Sequence, residues 1–132
     1  MAFLWLAALQ GHISKVRSLL SSGCVQLLDL QHEDGTSPLW AAAQEGHLEV
    51  VHALLSAGAT VDLQSAKAVT PLLRACQEGH VEVARALLSV GATVDLPDHE
   101  GFSPLHATCQ AGHIEVFRAL LSAGAVVTCR AA

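Results

Sequence analysis

Aromatic residues are scarce in this chain: 4% of 132 residues, with three Phe, two Trp and no Tyr. The core must therefore be assembled from Leu, Val and Ala, which suits closely set small helices better than a globular interior built around bulky rings. Basic residues are equally sparse. Seven Lys and Arg stand against twelve Asp and Glu, for a net charge of −5, and no stretch is polybasic. Binding to a phosphate backbone needs a clustered basic surface, so nucleic acid is excluded as a partner. No apolar run approaches the roughly 20 residues that a bilayer requires, so no membrane insertion is expected. The apolar start from Met1 to Leu9 lacks the basic residues of a secretory leader. Cysteine is limited to Cys24, Cys76, Cys109 and Cys129, with no CxxC among them. Cys76 and Cys109 fall at equivalent places 33 residues apart. Packed helices lie roughly 8–10 Å apart, too far for a bridge between equivalent Cα atoms. Reduced, buried thiols are expected, in the cytoplasm or, second, the nucleus.

What is present is apolar and periodic. Hydrophobic residues make up 52% of the chain and mean hydropathy is +0.43. The stretch Thr36-Ser-Pro-Leu-Trp-Ala-Ala-Ala-Gln-Glu-Gly46-His-Leu-Glu-Val-Val-His-Ala-Leu-Leu-Ser-Ala-Gly58 returns from Val69 to Gly91 and again from Phe102 to Gly124. Pro38, Pro71 and Pro104 are spaced by 33 residues, as are the Gly-His pairs at Gly46, Gly79 and Gly112. A weaker copy begins upstream, with Gly11-His12 followed by Ile13 to Gly23. A fixed period of this length marks a stack of supersecondary units.

Each unit opens with a turn. His32-Glu-Asp-Gly35-Thr and Asp98-His-Glu-Gly101-Phe place Gly where a hairpin tip often needs positive φ. The middle copy, Ser65-Ala-Lys-Ala68-Val, has Ala there, which is expected to weaken or reshape the central finger. Ser37, Thr70 and Ser103 then supply N-cap oxygens, with Pro at the first helical position, where its missing N–H does no harm. Gly46, Gly79 and Gly112 end this first helix of about eight residues, as left-handed C′ positions. In the second helix Leu48, Val51, Leu54 and Leu55 form an apolar stripe, repeated by Val81, Ala84, Leu87 and Leu88 and by Ile114, Phe117, Leu120 and Leu121. Glu49/His52, Glu82/Arg85 and Glu115/Arg118 line the opposite, solvated face. In the first copy Leu4 to Gln10 and Ile13 to Ser21 are the two helices. The segment from Gly23 to Pro38 is two residues longer than its later counterparts, so the loop around Val25 to Leu30 should bulge.

Ser-Pro-Leu, Thr-Pro-Leu, Gly-His-x-Glu-Val and Leu-Leu-Ser-x-Gly-Ala, as they stand here, resemble the ankyrin repeat, over nearly the whole chain. The resemblance implies an all-α repeat solenoid of stacked helix–turn–helix pairs with short β-turn fingers. It divides residues 1–132 into a degenerate first repeat at about 1–30 and repeats at 31–64, 65–97 and 98–130. The last repeat lacks the polar outer face that a terminal repeat normally needs, so further repeats or another domain are expected to follow. In the family pattern, a His in the first helix links that helix to the adjacent finger. Trp40 and Leu73 replace it here, which leaves the polar link only around His106.

No catalytic, cofactor or metal site is expected. Cys76/His80 and Cys109/His113 have a spacing that could clip a metal, but His12 and His47 hold the same turn position without a Cys, so the role is read as structural. Ser103, His106 and Asp98 lack any oxyanion-hole signature. The glycines are periodic punctuation, with no Gly-rich Lys-Ser/Thr loop for a nucleotide.

What remains is surface. Glu33, Asp34 and Thr36, then Ala66, Lys67 and Val69, then His99, Glu100 and Phe102 fall at the finger positions that ankyrin proteins vary for recognition. Trp40 and Gln44, Arg74 and Gln77, and Gln110 lie on the first-helix face that lines the concave groove in that family. The resemblance thus implies a non-enzymatic protein–protein interaction module, a scaffold or adaptor. The alternative is the substrate-recognition part of a larger assembly such as a ubiquitin ligase. Acidic finger residues outnumber Lys67 and Arg74, so a basic or mixed-charge protein segment is the expected partner.

Overall fold

The computed structural model describes residues 3–23 and 28–125. Eight helices follow one another: α1 (Phe3–Gln10), α2 (Ile13–Ser21), α3 (Pro38–Glu45), α4 (Leu48–Ser56), α5 (Pro71–Glu78), α6 (Val81–Ser89), α7 (Pro104–Ala111) and α8 (Ile114–Ser122). The odd-numbered helices pack in series as one layer and the even-numbered helices as a second, with each consecutive pair joined by a tight turn. This is the all-α solenoid that the resemblance implies.

The local chemistry explains the repeated boundaries. Ser37, Thr70 and Ser103 are extended, and their hydroxyls accept the N–H of Trp40, Leu73 and His106, three residues on. Pro follows each cap, so the helix begins where one donor is already missing. At the other end Gly46, Gly79 and Gly112 take left-handed φ values of 75°, 77° and 78°. Their N–H groups return to the last turn, which closes helices too short to persist alone.

The core runs along the solenoid between the two layers. Leu39, Leu54, Leu72, Leu87 and Leu120 are fully buried, with Ala42, Ala75 and Thr108 letting the first-layer helices approach closely. The second-helix stripe is wider than its sequence suggested. Val50, Val83 and Val116 are buried as well, because they face the preceding repeat. Ile114 and Leu121 are exposed instead, since no described repeat covers the α7–α8 end.

Polar ties repeat with the same period. His47 Nε2 lies 3.0 Å from Leu9 O, His80 Nε2 lies 2.9 Å from Gln44 O, and His113 Nε2 lies 3.2 Å from Gln77 O. Each imidazole thus joins its own turn to the end of the preceding repeat's first helix. Asp29 accepts the N–H and hydroxyl of Thr60 at 2.9 and 2.5 Å, and Asp62 makes the same pair of bonds to Thr93. Asp29 and Asp62 stand 33 residues apart whereas Gly23 and Gly58 stand 35 apart, so the two extra residues fall between Gly23 and Asp29. The expected bulge lies mostly outside the described residues.

Three expectations are corrected. The central finger keeps the shape of its neighbours: Ala68 accepts φ 62°, and Ser65 N–H still bonds Val69 O at 2.9 Å, as His32 bonds Thr36 and Asp98 bonds Phe102. Cys76 is a buried thiol, but Cys109 is exposed, because no described residue stacks on its side of α7. Cys24 and Cys129 lie outside the described residues. The polar link between first helix and finger is made at Trp40 rather than at His106. Trp40 Nε1 donates to Val69 O at 3.0 Å, so the indole does what an imidazole would do at that position. His106 packs against Phe102 with the rings tilted by 36° and their centroids 4.5 Å apart.

Candidate functional site

The fingers stand side by side because their backbones bond to one another. Ala66 N–H donates to Asp34 O and His99 N–H to Lys67 O, both at 3.0 Å. Gln31 Nε2 spans the first two fingers, reaching Gly35 O at 2.7 Å and Gln64 O at 3.0 Å. Between this row of turns and the exposed sides of α3 and α5 lies a groove of about 690 Å³.

Its floor is Trp40 and Arg74. The guanidinium carbon sits 5.6 Å from the centre of the indole ring, in cation–π range. Arg74 Nε donates to Gln44 Oε1 at 3.2 Å, Nη1 to Gln77 Oε1 at 2.8 Å, and Nη2 pairs with Glu78 at 3.2 Å. Its charge is thereby largely compensated and its long side chain is held in one geometry. The indole is fixed at its other edge by the bond to Val69 O. A flat, immobilised pair of this kind offers contact area without an ordering cost on binding.

The walls are finger residues. Asp34 Oδ1 accepts both the N–H of Thr36 at 3.1 Å and its hydroxyl at 2.5 Å. The Thr36 hydroxyl bond, with help from the Thr36 amide and from His32, holds the Asp34 carboxyl below its ordinary value against the opposing effect of burial. Asp34 therefore stays charged. Across the groove Asp98, His99 and Glu100 bring their side-chain oxygens and nitrogen within 4.8 Å of one another. Asp98 Oδ1 is engaged by the N–H groups of Glu100 and Phe102, and His99 Nδ1 lies 3.0 Å from Lys67 O. The arrangement is an acidic rim held by its own turn.

Of the residues singled out from sequence, Asp34, Thr36, Trp40, Ala66, Lys67, Val69, Arg74, Gln77, His99 and Glu100 all line this groove. Thr36 is buried, and its hydroxyl also accepts Trp5 Nε1 at 3.0 Å, so it braces the first finger from behind. Gln44 touches the groove through Arg74. Glu33 is exposed on the first finger, while Phe102 and Gln110 belong to the last repeat, outside the lining. Sequence reasoning missed Ser65 and Asp98, both lining residues. Asp98 was findable from its place at the head of the third turn, where Asp accepts backbone N–H bonds.

Stacked helix pairs, finger turns and a groove shared between repeats define a helical repeat protein with an open groove. The model for "Ankyrin repeats (3 copies)" matches residues 1–65 and 57–131, and the chain belongs to the ankyrin-repeat family. Repeats of this family are generally protein–protein interaction modules. No curated protein matches the sequence. Among the described residues no helix is long and apolar enough to cross a membrane.

Proposed function

We propose that this chain is a scaffold or adaptor that binds an extended, basic or mixed-charge protein segment in the groove over Trp40 and Arg74. The observation that carries this reading is the mismatch of charge between floor and rim. Arg74 is already matched by Glu78 and two glutamine oxygens, whereas Asp34 and Glu100 face the groove alongside only Lys67 as a further cation. A Lys or Arg side chain of the partner would meet the acidic rim, and its apolar neighbours would rest on the indole and on Val69. Energy in such interfaces concentrates in a few anchors, and charge guides the encounter.

A library of extended peptides varied in charge, read by fluorescence polarisation, tests this. Basic and mixed-charge sequences should bind and acidic ones should not. Val69→Ala retains the carbonyl that Trp40 bonds, so it should weaken binding with little change in melting temperature. Glu49→Ala with Glu82→Ala, on the outer face of α4 and α6, should leave binding unchanged. Loss of binding in the outer-face pair alone would place the interface elsewhere.

A further inference from the structure

We propose that the groove selects a polyproline II segment whose charges run basic, acidic, basic at every third residue. This selection rests on the groove's role as a site for a basic or mixed-charge segment, and adds an order and a spacing to those charges. The observation is a charge pattern with the period of the fold. Asp34, Lys67 and Glu100 stand 33 residues apart, at the same position of three successive fingers, and their signs alternate. All three are exposed and line the groove. Among the described residues neither Lys67 nor Glu100 has an ion-pair partner, and Asp34 has only His32, at 3.8 Å.

The stack fixes the spacing of these charges. Each finger leads directly into its own first-layer helix, and α3, α5 and α7 pack in series. Packed helices lie roughly 8–10 Å apart. The fingers are also bonded at equivalent atoms, Ala66 N–H to Asp34 O and His99 N–H to Lys67 O, both at 3.0 Å. The three tips are thus evenly spaced and held. Among regular backbones polyproline II fits that step. Its turn of three residues advances about 9.3 Å and returns the side chain to the same face. A β-strand covers the distance in about three residues too, but turns every second charge away from the tips. An α-helix needs about seven residues for the same face to recur and is about 10–12 Å across. Over a span of about 20 Å it would occupy on the order of 1,600–2,300 Å³, against a groove of about 690 Å³.

The floor agrees with such a segment. Trp40 stands on the helix that follows the first finger, and its Nε1 reaches Val69 O at the end of the second, so the indole spans one step between fingers. Proline rings between the charged residues would rest on this surface, as polyproline II segments do in aromatic-lined grooves. Polyproline II has no internal hydrogen bonds and is extended before it binds, so little freedom is lost on docking. Exposed ion pairs are individually weak, so the three tips choose among sequences more than they add affinity.

Chemical-shift titration of the isotopically labelled whole chain, which reads binding as weak as millimolar, tests the register. The probe is Lys-Pro-Pro-Glu-Pro-Pro-Lys. The peptide Lys-Pro-Glu-Pro-Lys-Pro-Pro has the same composition and net charge with the step shortened to two residues, and should bind several-fold more weakly. Lys67→Glu then reverses the middle tip; the side chain is exposed and the carbonyl that His99 bonds is retained, so thermal melts should show the fold unchanged. This variant should bind the probe more weakly than the wild type does, and Lys-Pro-Pro-Lys-Pro-Pro-Lys more tightly. Together the two changes should amount to about tenfold or more. Equal binding of the two spacings would overturn the register. So would a Lys67→Glu variant that leaves the ratio between the probe and the three-lysine peptide where it was. In both cases the groove would still be a site for basic segments. If neither these peptides nor any other basic or mixed-charge sequence bound, that role would fall and the register with it.

Discussion

Cys76 and Cys109 occupy the same position of the same motif, and their surroundings make them chemically different. Burial under the next repeat pushes the Cys76 thiol up to about 12, only partly opposed by the neighbouring Thr108 hydroxyl. Thiolate is the reactive form, so Cys76 should be inert in the folded protein. Iodoacetamide on the native chain, followed by peptide mapping, should label Cys109 and spare Cys76 until denaturant is added. The sequence placed both thiols correctly on the first helix of their repeats. It could not separate them, because burial there depends on what stacks next, and a period carries no record of its own end. Ala68 makes the complementary case. Its position in the turn was legible, and so was the demand for positive φ that Gly35 and Gly101 meet. The structure shows a backbone that keeps the turn at φ 62° in spite of the methyl group. A left-handed alanine costs roughly 1–2 kcal/mol, and glycine's greater unfolded-state freedom returns about half of that. Ala68→Gly should therefore stabilise the protein by about 0.5–1 kcal/mol, read as a higher urea midpoint at unchanged slope. A lowered midpoint would mean that the tip bears no strain.

Within the helix pairs, nearly every boundary could be read in advance, because caps, proline and glycine act through bonds made within four residues. The ties between pairs were less legible. The Gly-His turn announced itself by repetition, yet nothing in it says that the imidazole reaches back to a carbonyl 36 residues earlier, as His80 does to Gln44 and His113 to Gln77. Trp40 shows the same limit from the other side. Reading it as the loss of a polar link considered the residue type alone, whereas the indole N–H lies in place to donate to Val69 O. These ties give a contrast inside one motif. His80→Ala should cost about 1–2 kcal/mol, since it leaves a carbonyl without its partner and opens a gap over Gly46. His12→Ala, at the same motif position but exposed, should cost nothing measurable in dilute protein. Equal effects at both positions would show that the histidine serves its own turn and not the joint between repeats.

At the scale of the whole molecule, stability is a sum of helix pairs and the joints between them. Among the described residues the pairs α3–α4 and α5–α6 each have a joint on both sides, while α1–α2 and α7–α8 have one each. The ends also differ from each other. The first pair presents Lys15 and Ser18 outward, side chains that water solvates well, whereas the last leaves Ile114 and Leu121 bare. The groove, by contrast, draws its floor from α3 and α5 and its walls from three fingers, so it rests on the best-supported part of the stack. Local opening should follow that order. In dilute protein, amide exchange should be fastest in α2 and α8, slower in α1 and α7, and slowest in α3 and α5, which pack against a neighbouring helix on both sides. Exchange that ran at one rate from α1 to α8 would mean that the array opens as a single cooperative unit, and the joints would then be stronger than the pairs they connect.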